Sequence, residues 1–192
     1  MKHIILSVFL AAGTLLLNAQ NTSDSIPEPE FMNQVFALGK DHKLIDLEKK
    51  DAEIVTKNKM GGIGGAKQMY EIDGDKSSVI LPADNIMFVV STGGSGGFGM
   101  DPSNQYSLLK FETKKGKRQA ISADYGGGMM KKNKAREGEN EIDLNFKKIR
   151  EGVIGIVPGK ALEKGQYAFI NKMSMQGGGM SMKMESFAFS IE

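Results

Sequence analysis

The chain has 192 residues, of which 13 are methionine, 24 glycine and none cysteine, and its 25 Lys and Arg nearly balance 23 Asp and Glu. That length suits one domain with a sizeable core, and the charge gives no electrostatic case for nucleic acid or an anionic membrane surface. The missing thiols exclude disulfides, thiolate metal sites, a cysteine nucleophile and a lipid-modified cysteine anchor.

Met1-Lys2-His3 carries a small positive charge, Ile4 to Leu17 is an apolar run, and Asn18-Ala19-Gln20 follows. This three-part layout predicts a secretory signal peptide over 1–19, cleaved after Ala19, since the apolar run falls short of the ~20 residues that span a bilayer. No later stretch reaches that length, so the expectation is an exported chain with no transmembrane segment after cleavage. Its final place would be the periplasm, the outer membrane or the exterior. Residues 20–30 end in Pro27-Glu28-Pro29-Glu30 and read as an extended polar leader, with a single folded domain over 31–192.

From Phe31 onward, short apolar segments recur. They cover 31–38, 42–47, 67–72, 77–81, 86–91, 106–111, 119–123, 141–146, 153–157, 166–175 and 180–191. Gly, Asp, Asn and Pro separate them, which favours strands over helices. Strict alternation in Glu141-Ile142-Asp143-Leu144-Asn145-Phe146 and in Phe187, Phe189 and Ile191 gives each of these one buried face. Asp73-Gly74-Asp75 and Pro158-Gly159 supply turns. The charged stretch 40–59 could form a helix with Leu44, Leu47, Ile54 and Val55 on one face, but two strands around Leu47-Glu48 are preferred. The pattern predicts an all-β fold, an antiparallel β-sandwich of about nine to eleven short strands with Gly/Met-rich loops.

Several of these segments also carry a resemblance. Pro29-Glu30-Phe31, the run from Leu44 to Glu48, the Gly-rich turn from Gly61 before Lys67, Gly165-Gln166-Tyr167-Ala168-Phe169 and Ser186-Phe187-Ala188-Phe189 are together similar to a group of uncharacterised exported β-sandwich proteins of Gram-negative bacteria. The resemblance implies a sandwich and export, and no activity.

Motifs for catalysis are incomplete. Gly93-Gly94-Ser95-Gly96-Gly97 matches a nucleophile elbow, but the histidine outside the signal, His42, precedes the serine, against the serine, acid, histidine order of such hydrolases. Gly94 to Gly99 spells a dinucleotide fingerprint, yet Asp101-Pro102-Ser103-Asn104 reads as a turn where a helix should start. Gly61 to Gln68 evokes a phosphate loop with Ala66 and Gln68 in place of its last Gly and its magnesium-binding hydroxyl. Asp73, Asp75 and Ser77 alternate without the bidentate Glu of a calcium loop. The sequence therefore points to a protein that is not an enzyme.

What stands out is the coincidence of methionine with glycine in 60–65, 93–100, 126–130 and 173–184. Met173-Ser174-Met175 and Met180-Ser181-Met182-Lys183-Met184 flank Gln176-Gly177-Gly178-Gly179, which predicts a hairpin with alternating methionines on both arms. Met180, Met182 and Met184 have the parity opposite to Phe187, Phe189 and Ile191, so without a bulge near Glu185 or Ser186 they point away from the phenylalanine core and form a soft apolar patch. Three readings follow. The methionines fill irregular gaps, or Met129, Met130, Met173, Met175, Met180, Met182 and Met184 make an adaptable surface for an unknown protein or cell-envelope partner, or the same thioethers bind Cu(I) or another soft cation. The expected function is binding or structural, without a cofactor; periplasmic Cu(I) binding is the alternative.

Overall fold

The computed structural model describes residues 26–58, 65–93, 101–126, 136–137, 140–178 and 181–192. They form an all-β protein of fourteen strands and one helical turn. The strand pairings are antiparallel except where a two-residue strand joins the last one in parallel. Each expected apolar segment contains a strand, and the charged stretch 40–59 is two strands that break at Leu47.

One sheet has five strands. β1 (Val35–Leu38), β2 (Leu44–Asp46), β6 (Met87–Ser91), β11 (Leu144–Arg150) and β12 (Val153–Pro158) lie in the order β11-β12-β6-β1-β2. The other sheet contains β3 (Glu48–Asn58), β4 (Gly65–Asp73), β7 (Tyr106–Lys114), β8 (Lys117–Gly126), β13 (Gly165–Gly178) and β14 (Ser181–Ile191). Those six follow one another as β7-β13-β14-β3-β4-β8, and β8 pairs back onto β7, which closes a barrel. β5 (Ile80–Leu81), β9 (Arg136–Glu137) and β10 (Glu141–Ile142) are short additions to it.

Closure is where the architecture departs from the expected pair of open sheets. A six-stranded barrel is narrower than the eight-stranded kind whose interior side chains just fill, so small side chains must alternate with larger ones at its inward positions. Ala52, Ala120, Ala168 and Ala188 meet that demand and pack inside with Ile72, Leu109, Ile170 and Met184. β13 from Tyr167 to Asn171 and β14 from Ser186 to Ile191 are thus buried on both faces.

The main core lies between the barrel wall and the five-stranded sheet. Phe88 and Val90 of β6 meet Phe169, Phe187 and Phe189 there. Phe88 makes an edge contact with Phe169 at 4.7 Å between ring centroids, and Tyr167 stacks on Phe189 at 5.6 Å, geometries that ring quadrupoles favour. The alternating run from Glu141 to Phe146 proves to be a corner. Its first two residues belong to the barrel sheet and Leu144 onward to the other, yet Ile142, Leu144 and Phe146 all face this one core.

A smaller cluster covers the outer face of the five-stranded sheet, where Ile26 packs with Val89 and Val153. Arg150 holds the leader there by donating from Nη1 to the Ile26 carbonyl at 2.7 Å. The leader therefore makes packing contacts from Ile26 onward. The barrel's uncovered wall is ionic instead, with Lys49 to Glu185 and Lys57 to Glu71 each at 2.6 Å. Among the described residues no helix is long and apolar enough to cross a membrane.

Candidate functional site: one end of the barrel

The two ends of the barrel differ. At one end Arg118, 1% exposed, projects from β8 and pairs with Glu48 at 2.8 Å. Its Nε and Nη2 donate to the carbonyls of Gly74 and Asp73, each at 3.1 Å. Gly74 turns the chain at φ +94°, a conformation that glycine adopts without strain, and so presents that carbonyl. Gln166 adds a second set of contacts, its Oε1 accepting from the Ser77 N–H at 2.9 Å and the Ser190 hydroxyl at 3.0 Å. These bonds plug the end. They also answer the calcium reading, because the Asp73 and Gly74 carbonyls serve Arg118, the Asp73 carboxylate pairs with Lys117 and the Ser77 hydroxyl donates to Ala188.

The other end carries the methionine-glycine stretches. β3 ends at Asn58 and β4 starts at Gly65; Gly65 pairs with Gly126 at the end of β8; Gly178 pairs with Ser181 where β13 meets β14; and β7 starts there, with Tyr106 opposite Asn171. Ser91 of β6 joins this end through Asn33, which donates its N–H to the Ser91 carbonyl and accepts the Tyr106 hydroxyl at 3.0 Å. The described residues flanking all four stretches thus converge on one rim. Five of the eight large hydrophobic side chains exposed among the described residues sit here: Phe31, Met32, Tyr125, Met173 and Met175.

Met173 and Met175 are exposed because β13 bulges. Its pairing with β14 jumps from Asn171 opposite Glu185 to Gln176 opposite Lys183, which leaves extra residues on the β13 side. Ser174 bridges the gap, its hydroxyl donating to the Asn171 carbonyl and accepting the Glu185 N–H, both at 2.7 Å. β14 itself stays in register with β3 from Met182 to Ala188, so the methionine and phenylalanine faces keep opposite parity as the sequence indicated. The face opposite the phenylalanines is not solvent, however. It is the barrel interior, and Met184 is only 5% exposed within it. Met184 therefore leaves the expected surface patch, and Met182 is half-buried. Met129, Met130 and Met180 lie outside the described residues.

The rim also holds a cleft that the sequence did not reveal. β7 gives its outer edge to two partners: β8 pairs with its far end, from Glu112 to Lys114, while β10 pairs with Leu108 and Leu109 near its start. The barrel seam therefore splits toward the rim. A cavity of about 260 Å³ occupies the split, with Ser107 and Glu141 on one wall, Ser122 and Tyr125 on the other, and Tyr70 and Lys172 beside them. Ser107 donates its hydroxyl to Glu141, and the Ser122 hydroxyl donates to the Gln68 side-chain Oε1 at 3.4 Å. Burial pushes the Tyr70 phenol above its ordinary pKa, the Ser122 hydrogen bond opposes that, and the nearby Glu141 charge adds to it.

His42 sits in the turn between β1 and β2, beside Met87, whereas Gly93 follows the opposite end of β6. The length of β6 separates His42 from Gly93, and Ser95 lies outside the described residues. Among the described residues no three of His, Asp and Glu gather as a metal cluster. Asp101 caps one helical turn, α1 (Pro102–Gln105), by accepting the Ser103 N–H at 2.9 Å. Comparison with protein-family models, curated proteins and solved structures finds no match.

Proposed function

We propose that this is an exported, non-enzymatic binding protein that meets its partner through the open rim of the barrel. One observation carries the reading: the strand ends flanking the four methionine-glycine stretches converge on the rim that also holds exposed Met173, Met175, Tyr125, Phe31 and Met32. Exposed apolar groups concentrated in one place favour an interaction surface, and flexible thioethers repack around a partner at little cost. The plugged end, by contrast, directs its polar groups inward. Export rests on the signal-peptide pattern from Met1 to Ala19 and puts the partner in the cell envelope or outside the cell.

Replacing both Met173 and Met175 by Glu tests this, since each side chain is more than half exposed and folding should survive. Partner capture from a cell-envelope extract of the producing organism should fall, while Lys114→Glu at the plugged end should leave it unchanged. Equal capture by the unmodified protein and both variants would count against the rim. Soft-metal binding has less support, because burial of Met184 inside the barrel breaks the expected row of thioethers.

A further inference from the structure

We propose that the seam cleft binds a small zwitterion of amino-acid size, with Glu141 taking its ammonium group and Lys172 its carboxylate. This does not depend on the methionine rim reading. The volume, about 260 Å³, lies just below the ~300–1,000 Å³ of ordinary ligand pockets, so the ligand is small.

Charge selects its class. Glu141 and Lys172 line the same cleft, yet among the described residues they form no ion pair with one another, and Lys172 forms none at all. Elsewhere on the barrel wall, Lys57 closes on Glu71 and Lys49 on Glu185, each to 2.6 Å. The Ser107 hydroxyl bonds one Glu141 oxygen and so orients the carboxylate. Tyr70, held protonated by burial and by the Glu141 charge, remains a neutral hydroxyl donor through the physiological range. Leu109, Ile121 and Ala123 supply an apolar wall for an aliphatic body.

Simpler ligands match this less well. A plain carboxylate gains Lys172 but is repelled by Glu141, and a plain amine meets the reverse. A neutral sugar satisfies the hydroxyls while partly desolvating two charges that it cannot neutralise. A zwitterion meets both charges at once, and charge-assisted hydrogen bonds are the strong ones.

The test is an NMR titration of the isotopically labelled mature chain with each standard L-amino acid at millimolar concentration. Any amino acid that binds is then compared with its decarboxylated amine and its deaminated acid, with glucose as a neutral control. The expected result is that at least one aliphatic amino acid shifts the amides of Leu109, Ala123 and Lys172, and that its amine and acid counterparts bind about tenfold more weakly or worse. Glu141→Gln and Lys172→Gln should each cost a similar factor without changing the thermal unfolding midpoint. The proposal is overturned if no amino acid shifts those amides, if either counterpart or glucose binds as tightly, or if both folded variants keep full affinity. The ligand comparison uses the unmodified protein, so it decides the question whether or not the variants fold.

Discussion

Replacing Glu48 by Ala removes the carboxylate paired with a guanidinium that is 1% exposed, and leaves Arg118 charged inside the plugged end of the barrel. Breaking one side of a buried pair costs roughly 3–5 kcal/mol, mostly as the penalty of the charge left behind. Two features put this case at the lower end: the Glu48 side chain keeps 12% of its surface in water, and Arg118 retains the Asp73 and Gly74 carbonyls. A loss of about 3 kcal/mol is expected. Arg118→Met alone should cost about 2 kcal/mol, since two carbonyls lose donors while Glu48 keeps Lys50 at 3.5 Å. Combining Glu48→Ala with Arg118→Met removes both charges, so the double variant should fall short of the summed single losses by about 2 kcal/mol. Urea unfolding followed by far-ultraviolet circular dichroism measures all of these, with the slope against denaturant unchanged. A Glu48→Ala loss below about 1 kcal/mol, or additivity within ~0.5 kcal/mol, refutes the plug as the element that holds this end.

Three further outcomes follow from the packing and the tyrosines. Burial holds the phenols of Tyr106, Tyr70 and Tyr167 above their ordinary pKa, Tyr106 furthest. Their contribution to stability is then fully present below the unfolded value of about 10 and declines as pH rises through the folded values, by up to ~1.4 kcal/mol per pH unit for each group; phenolate absorbance that titrates alike in the folded and urea-unfolded protein would contradict this. Ile26→Ala should cost about 2 kcal/mol in urea unfolding, because Ile26 is 9% exposed over Val89 and Val153, and no loss would mean that the leader does not pack. Cu(I) titrated in thiol-free reducing buffer against a competing chelator should bind no tighter than micromolar; tighter binding, lost in Met173→Leu with Met175→Leu, would revive the thioether site.

Local pattern carried much of the fold. The alternation of Phe187, Phe189 and Ile191 identified a buried face, and the turn residues around Gly74 and Gly159 separated strands where the sequence placed breaks. Pattern does not say what covers the opposite face. Met184, Ser186 and Ala188 share a parity that reads equally well as solvent-facing or lumen-facing, and only the pairing of Lys114 with Lys117 around to β8, far along the chain from β14, decides it. The exposure of Met173 and Met175 depends on a bulge held by the Ser174 hydroxyl, a three-residue misalignment that leaves no mark on the methionine spacing. The seam cleft was the least legible feature. Tyr70, Ser107, Glu141 and Lys172 come from or beside four different strands, and none belongs to a local motif.

Binding through the open rim, and not through the plugged end, is tested most directly by photo-crosslinking in the cell envelope of the producing organism. Crosslinking amino acids placed one at a time at Met175, at Tyr125 and at Lys114 compare the two ends in the same setting. Adducts of one defined mass from Met175 and Tyr125, with none from Lys114, are the predicted result. Adducts from Lys114 alone, or equally from all three positions, would contradict it.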